Sequence, residues 1–342
     1  NEMELKKLHL GTMSYGWDAM DEVASQLAQA VAQMQSQKAE AEGALSPSAS
    51  KGLVNPFLAG GGVMGGRGRR DMSSRVRDVA LALALCHNVT PVVDEDGSIT
   101  YQASSPDEVA IVRWTESIGL SLVARDRTSM RLRADESGVI FSISILEVFP
   151  FTSESKRMGI VIRDNSSGEL TFYQKGADVV MAKIVAENDW LEEECGNMAR
   201  EGLRTLVIGR KRLSDDAWAA FEHAYKAARV RMEDRNEAIA QVISQHLETN
   251  LELLGLTGVE DKLQEGVKTT LELLRNAGIK VWMLTGDKIE TATCIAISCK
   301  LVARNQYIHQ VAKLKTLEAA RGTIDFLRSK LDCCLVIDGD PL

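Results

Sequence analysis

No apolar run in this sequence approaches the roughly 20 residues that a membrane-spanning helix needs; the longest candidate, Val79 to Cys86, is short and alanine-rich. Nor is there an excess of positive charge. Lysine and arginine number 40 against 48 aspartates and glutamates, a formal charge of −8 that argues against a general nucleic-acid binder. A local basic cluster can still hold a polyanion. Aromatics are few, and 45% apolar with 26% charged residues is the composition of a soluble globular protein. The six cysteines (Cys86, Cys195, Cys294, Cys299, Cys333 and Cys334) form no C-x-x-C pair, and none has histidines at zinc-finger spacing. That pattern suits a reducing compartment, with the adjacent Cys86 and His87 as packing residues. A secretory signal is lacking, and the first residue is Asn1 instead of methionine, so the expectation is a piece of a longer protein.

What is present divides in two by pattern, as 342 residues allow. Glu4 to Leu10 reads as a short strand. From Asp18 to about Arg70 the composition shifts to Ala, Gln, Ser and Gly. Leu27, Val31 and Met34 fall at helical spacing, so one helix is expected before the Gly-rich tract. That tract contains G-x-G-x-x-G at Gly60, Gly62 and Gly65 without a preceding strand, so it reads as a flexible surface insertion and not as a dinucleotide loop. A helix is expected from Ser73 through Leu85, and another from Ser105-Pro106-Asp107-Glu108, where proline and carboxylates suit a first turn. Period-two alternation at Phe141–Ile145, strands at Gly159–Arg163 and Glu169–Gln174, and a turn at Asn165–Gly168 predict a hairpin-rich sheet. Trp190–Asn197 and Ser214–Leu247 read as helical.

Beyond Leu251 the style changes. Leu253–Thr257 and the apolar run Ile279–Leu284 read as strands, the latter buried on both faces. Leu263, Val267, Leu271 and Leu274 line a helix that Gly278 stops; another helix follows from Lys288, and Leu335–Ile337 gives a further strand. The expectation is an α+β domain to about residue 250 and an α/β, parallel-sheet portion after it.

Several residues stand where they have chemistry to offer. Phe151 lies in a polar loop beside Lys156 and Arg157; its ring is either core or free to stack on a purine, with the cations suited to phosphates. In Lys175-Gly176-Ala177-Asp178 the glycine would let a ligand approach the backbone, and the lysine is either a phosphate-reaching point charge or a solvated surface cation. Arg204, in Arg200-Glu201-Gly202-Leu203-Arg204-Thr205, reads as a phosphate contact or a structural ion pair. Thr285-Gly286-Asp287 ends a strand and precedes a helix, where doubly wound sheets bind anions, and Glu260-Asp261-Lys262 ends the preceding strand.

The ordered segments S-S-P-D-E-V-A, F-T-S-E-S-K-R-M, K-G-A-D, R-E-G-L-R-T-L, E-D-K-L-Q and M-L-T-G-D-K resemble those of the P-type ATPases, in the wording of the phospholipid flippases. L-H-L-G-T-M-S-Y-G and N-A-G-I-K-V-W-M-L-T-G-D-K further resemble the endosomal and Golgi branch that works without an accessory subunit. The resemblance implies an α+β nucleotide-binding domain over 1–250, an antiparallel sheet with flanking helices, carrying a disordered insertion at about 20–72. An incomplete α/β haloacid-dehalogenase-like (Rossmannoid) phosphorylation domain would span 251–342. It implies ATP and Mg²⁺ as ligands. Phe151 would stack on adenine, Glu108 lie near its amino group, and Ser153, Lys156, Lys175 and Gly176 line the pocket. Arg204 with Thr205 would meet the phosphates, and Thr285, Gly286 and Asp287 the γ-phosphate and its metal.

The family's D-K-T-G-T-L-T nucleophile motif and its later G-D-G-x-N-D motif do not occur in the sequence. Asp338-Gly339-Asp340 follows the T-G-D loop, and no threonine comes after it, so it reads as a strand end. The chain is therefore expected to bind ATP without turning it over. The implied partners are the membrane and actuator domains of a parent protein at a Golgi or endosomal membrane, with no nucleic acid, and phospholipid only through the membrane domain. A free-standing dehalogenase-fold phosphatase and a non-catalytic nucleotide-sensing module are the alternatives.

Overall fold

Strict alternation in Ser129–Ala134, with Met130, Leu132 and Ala134 inward and arginines outward, sets the register of a large sheet. The structure, a computed structural model, describes residues 2–43, 71–94, 98–303, 305–311, 316–330 and 332–339. Two compact units emerge: a larger one, Met3–Glu192 with Thr205–Val259, and a smaller one, Asn1–Glu2, Glu193–Arg204 and Glu260–Leu342.

The larger unit begins with β1 (Glu2–His9), β2 (Ser14–Gly16), α1 (Met20–Gly43) and α2 (Met72–Leu85). A hairpin of β3 (Thr90–Val93) and β4 (Ile99–Gln102) leads to α3 (Pro106–Ser117). Then come β5 (Leu120–Arg125), β6 (Ser129–Ala134), β7 (Ile140–Phe149), β8 (Arg157–Asp164), β9 (Leu170–Gly176) and the short α4 (Asp178–Met181). After α5 (Leu191–Arg200) the chain returns as β10 (Arg204–Leu213), α6 (Asp215–Arg229), α7 (Arg235–His246) and β11 (Glu252–Lys262). Nine strands form one sheet in the order β2-β1-β11-β10-β9-β8-β7-β6-β5, in which β5 to β10 run as an antiparallel meander. The predicted turn closes β8 onto β9: Gly168 has φ +75° and donates its N–H to Asp164 O at 2.7 Å.

Both faces of the sheet centre are covered, so β8 and β9 are buried almost continuously. On one face α2 and α3 pack on Met158, Ile160, Ile162 and Tyr173. The alanines of α2 are what let it come close: Ala80, Ala82 and Ala84 are buried with Val76, Val79 and Leu83. On the other face Phe149 meets Phe172 and the α6 residue Phe221, each edge-on at 6.1 Å. Ser214 caps α6 by accepting from Ala217 N–H at 3.1 Å. The expected single helix over 214–247 is two, because the chain breaks at Asp234, with φ +53°.

Two expectations need correction in this unit. The stretch 20–43 is a helix, and Val23, Leu27 and Val31 are in the core. The helix expected from the spacing of Leu27, Val31 and Met34 is there. Burying each core residue contributes about 1.5–3 kcal/mol, which offsets the ordering cost, so the insertion does not reach back over these residues. Residues 44–70 of the expected insertion, with the Gly60-Gly62-Gly65 motif, lie outside the described residues. Strand β11, expected to open the α/β portion, instead lies between β1 and β10, so the division falls at Val259/Glu260 and not near 250.

The smaller unit holds most of α5, then α8 (Val267–Asn276), α9 (Ile289–Ser298), β12 (Tyr307–Val311), α10 (Leu317–Arg328) and β13 (Cys333–Ile337). β12 and β13 pair in parallel, Tyr307 opposite Cys333. Gly278, with φ +77°, ends α8 as expected. The run Ile279–Leu284, however, is not a strand. It has no strand partner among the described residues, and Trp282 and Leu284 are more than 80% exposed, at 84% and 88%. Likewise the strand at 335–337 is only half-buried, with Leu335 exposed. No helix among the described residues is long and apolar enough to cross a membrane.

Candidate functional site

Two charges meet under the sheet's helical cover. Pro106 starts α3 after Ser105, which brings Glu108 into the first turn, and there it is buried. Lys175 is the penultimate residue of β9, in register with Met158 of β8 and Ile208 of β10, and is only 5% exposed. Its Nζ lies 2.9 Å from Glu108 Oε1. The N–H of Asn88 donates to Oε2 at 3.1 Å. A solvated surface lysine is thereby ruled out. Two desolvated charges cost several kcal/mol each, and the pairing plus the backbone donor is what offsets that cost.

The turn carrying Asn88 is itself tied down. Cys86 Sγ reaches the carbonyls of Met158 and Tyr173 at 3.7 and 3.8 Å, and burial pushes its thiol pKa up to about 12. His87 is fully buried; burial first, then the Arg125 and Lys175 cations, hold its pKa well below the ordinary imidazole value. Both residues pack, as expected. Arg125, at the end of β5, sets its Nη1 2.8 Å from His87 Nδ1 and 3.2 Å from Val89 O, and also contacts His87 O. Its Nη2 donates to Asn88 Oδ1 at 3.2 Å. Nothing in the sequence marks Arg125 or Asn88, because their roles come from a loop and a strand end that only folding brings together.

Phe151 is 61% exposed in the loop between β7 and β8, with Ser153 and Lys156 also exposed. The core alternative for this ring is therefore excluded. The loop is ordered by its own polar groups: Ser155 N–H donates to Thr152 Oγ1 at 3.0 Å and Lys156 N–H to Thr152 O at 2.9 Å. Lys156 sits at φ +51°, and its carbonyl accepts from Ala177 N–H at 3.0 Å. That bond sets the Phe151 loop beside the Lys175–Gly176 end of β9.

Two roles change. Arg157, expected beside phosphates, makes a two-pronged pair with Glu248 at 2.6 and 2.7 Å, and Gln174 joins the same carboxylate. Gly176 needs no ligand to explain it. A Cβ there would lie 2.7 Å from Arg157 Cβ and 2.8 Å from Lys156 O, so the close strand itself demands glycine.

In the smaller unit, α5 ends at Arg200, Gly202 turns the chain with φ +84°, and Arg204 follows. Arg204 Nε lies 2.9 Å from Asp287 Oδ1 and its Nη2 3.2 Å from Asp261 Oδ2. Thr285 Oγ1 donates to Asp287 Oδ2 at 2.8 Å and accepts Asp287 N–H at 3.1 Å. Arg204, Asp261, Thr285 and Asp287 thus gather, with Gly286 exposed between the last two. Thr205, the first residue of the larger unit's returning segment, is half-buried on β10. The hydroxyl and carboxylates are hard oxygen donors of the kind Mg²⁺ takes. Among the described residues no group of three or more His, Cys, Asp or Glu is arranged to hold a metal by itself.

A family model described as "P-type ATPase, cytoplasmic domain N" matches residues 75–266, over half of the chain. The whole chain is 51% identical to phospholipid-transporting ATPase NEO1 of Saccharomyces cerevisiae, of which it covers 28%. It is likewise 51% identical to the probable phospholipid-transporting ATPase IIB of Danio rerio, covering 31%. With the probable phospholipid-transporting ATPase tat-5 of Caenorhabditis elegans the identity is 45%, again along the whole chain and over 29% of the relative. The chain therefore spans under a third of the length of these relatives. A sheet of this order with its match over 75–266 assigns the chain to the P-type ATPases, of which it carries the cytoplasmic domain N.

Proposed function

We propose that this chain is the ATP-holding part of an enzyme that spends ATP to move phospholipid across a membrane. The observation that carries the reading is the buried Glu108–Lys175 pair beside the exposed Phe151 loop. Phe151 offers a free aromatic face for adenine, and Glu108 offers an acceptor for its amino group. Lys175 fixes that acceptor, and Ser153 and Lys156 supply polar and cationic contacts at the rim.

In the smaller unit Arg204 suits phosphate oxygens, while Thr285 and Asp287 would hold Mg²⁺, which when bound neutralises phosphate charge. This unit is part of a dehalogenase-like phosphorylation domain. Its parallel β12–β13 pair and the Thr285-Gly286-Asp287 loop ahead of α9 support that assignment. The partners are then the membrane and actuator domains of the parent protein. Among flippases the branch is the endosomal and Golgi one, with the chain on the cytosolic side of such a membrane.

Binding should occur without turnover by this chain, since the family's D-K-T-G-T-L-T motif is not in it. ATP titration followed by amide NMR tests the pocket. Shifts are expected at Phe151, Glu108 and Lys175, and Phe151→Ala should weaken ATP by about 1–3 kcal/mol, the worth of one base–aromatic stack. Because the ring is exposed, the same variant should melt like the wild type. Unmoved signals at these residues, or an unweakened variant, would refute the pocket.

A further inference from the structure

Glu108 is held at both carboxylate oxygens, and what holds it is held in turn. Lys175 takes Oε1, and Asn88 N–H takes Oε2. Asn88 lies in the turn between α2 and β3, whose shape comes from side chains. His87 Nε2 lies 2.8 Å from Ala84 O, and Val89 N–H donates to His87 Nδ1 at 3.0 Å. The guanidinium of Arg125 then reaches from the end of β5 to three consecutive residues: His87, Asn88 and Val89. A planar fork with five donors can do this, where a point charge cannot.

We infer that Arg125 is a positioning residue: through His87 and the 87–89 turn it orients the Glu108 carboxylate, and so sets a preference for amino-purine over oxo-purine nucleotides. The inference deepens the ATP-pocket reading and rests on it. A carboxylate has about four lone-pair sites, and Lys175 and Asn88 use two, which leaves capacity for an incoming donor. An exocyclic amine satisfies it. A carbonyl oxygen at the same place would set acceptor against acceptor, and such mismatches carry more discrimination than a missing contact. If Arg125 is removed, the Asn88 amide loses its support. Lys175 still attracts the carboxylate but does not fix its plane. The neutral state of His87, kept by burial and the nearby cations, leaves Nδ1 as an acceptor and completes the brace.

The test is to titrate the chain with ATP and with ITP, which differ at the purine 6-position, by calorimetry. The wild type is expected to prefer ATP. Arg125→Gln should lower ATP affinity about tenfold, the order of one hydrogen bond to a charged group, and leave ITP within about twofold. Arg125→Lys keeps the cation but not the fork and should fall between. Circular dichroism and melting establish that each variant folds; if Arg125→Gln does not, the lysine variant decides. An undiminished ATP/ITP ratio in the folded variants overturns the brace. Glu108→Gln, whose amide can face either base, then shows whether the pocket reading survives: loss of preference there keeps the pocket and removes only Arg125's role. A wild type without preference overturns both.

Discussion

Lowering the pH from 7.5 to 5.5 should weaken the larger unit through His87. The ring is fully buried, accepts Val89 N–H at Nδ1, and has Arg125 Nη1 at 2.8 Å from the same nitrogen. The Lys175 cation acts on it as well and adds to the cost of protonation. The folded-state pKa therefore lies well below the ordinary value of about 6.5, while the unfolded chain takes up the proton near that pH. The stabilisation is complete above pH 6.5 and is lost as pH falls from there toward the folded-state value. At pH 5.5 the unfolded state is favoured by about 1.4 kcal/mol relative to neutral pH. With a urea dependence of about 3 kcal/mol per molar, the midpoint falls by about 0.5 M. Urea unfolding read by amide protection of the β8–β9 hairpin reports on this unit. His87→Asn retains an acceptor for Val89 N–H and removes the titration, so its midpoint should fall by about 0.5 M less over the same pH range. Equal falls in wild type and variant would refute the assignment, because every other titrating group is common to both.

Asp78→Ala should be strongly destabilising. Asp78 bonds Arg210 at 2.7 Å in the interior, and Arg210 reaches Glu252 at 2.9 Å, linking α2, β10 and β11. Burial alone would raise the Asp78 pKa, but the Arg210 and Arg77 cations bring it below the ordinary carboxylate value. Stripping one partner from such a buried pair costs about 3–5 kcal/mol, measurable as a lost or sharply lowered thermal transition. Gly176→Ala should cost about 1–3 kcal/mol by overpacking against Arg157 and the Lys156 carbonyl. If it melts like the wild type, the strand-packing account of this glycine fails.

The sheet was legible where local rules decide. The alternation in β7, the Asn165–Gly168 turn and the Ser105-Pro106 helix start are all satisfied within a few residues of themselves. Helix α1 was legible in the spacing of Leu27, Val31 and Met34, but the composition extended the expected insertion back over residues that the core face of Val23, Leu27 and Val31 orders. Of the candidate site, Phe151 stood out because a ring in a polar loop is locally odd. Lys175 stood out beside its glycine, Glu108 gained a role only through the family resemblance, and nothing local pairs them. Arg125, Asn88 and Glu248 were missed for the same reason: each acts on a partner far along the chain.

The segment Ile279–Leu284 shows where such reading stops. Its apolar run states a need for burial on both faces, but a strand exists only when neighbours supply ladder bonds and cover. Among the described residues no strand pairs with it, and Trp282 and Leu284 face outward. Lys175 is the opposite case. Its sequence neighbourhood asks for solvent or a phosphate, yet β8, β10 and Glu108 enclose it. In both places the surroundings, and not the local side-chain chemistry, decide what the residues do. On the proposed reading, a lysine committed to a carboxylate contributes to ATP binding by fixing Glu108, so Lys175→Met should loosen that acceptor before it removes any phosphate contact.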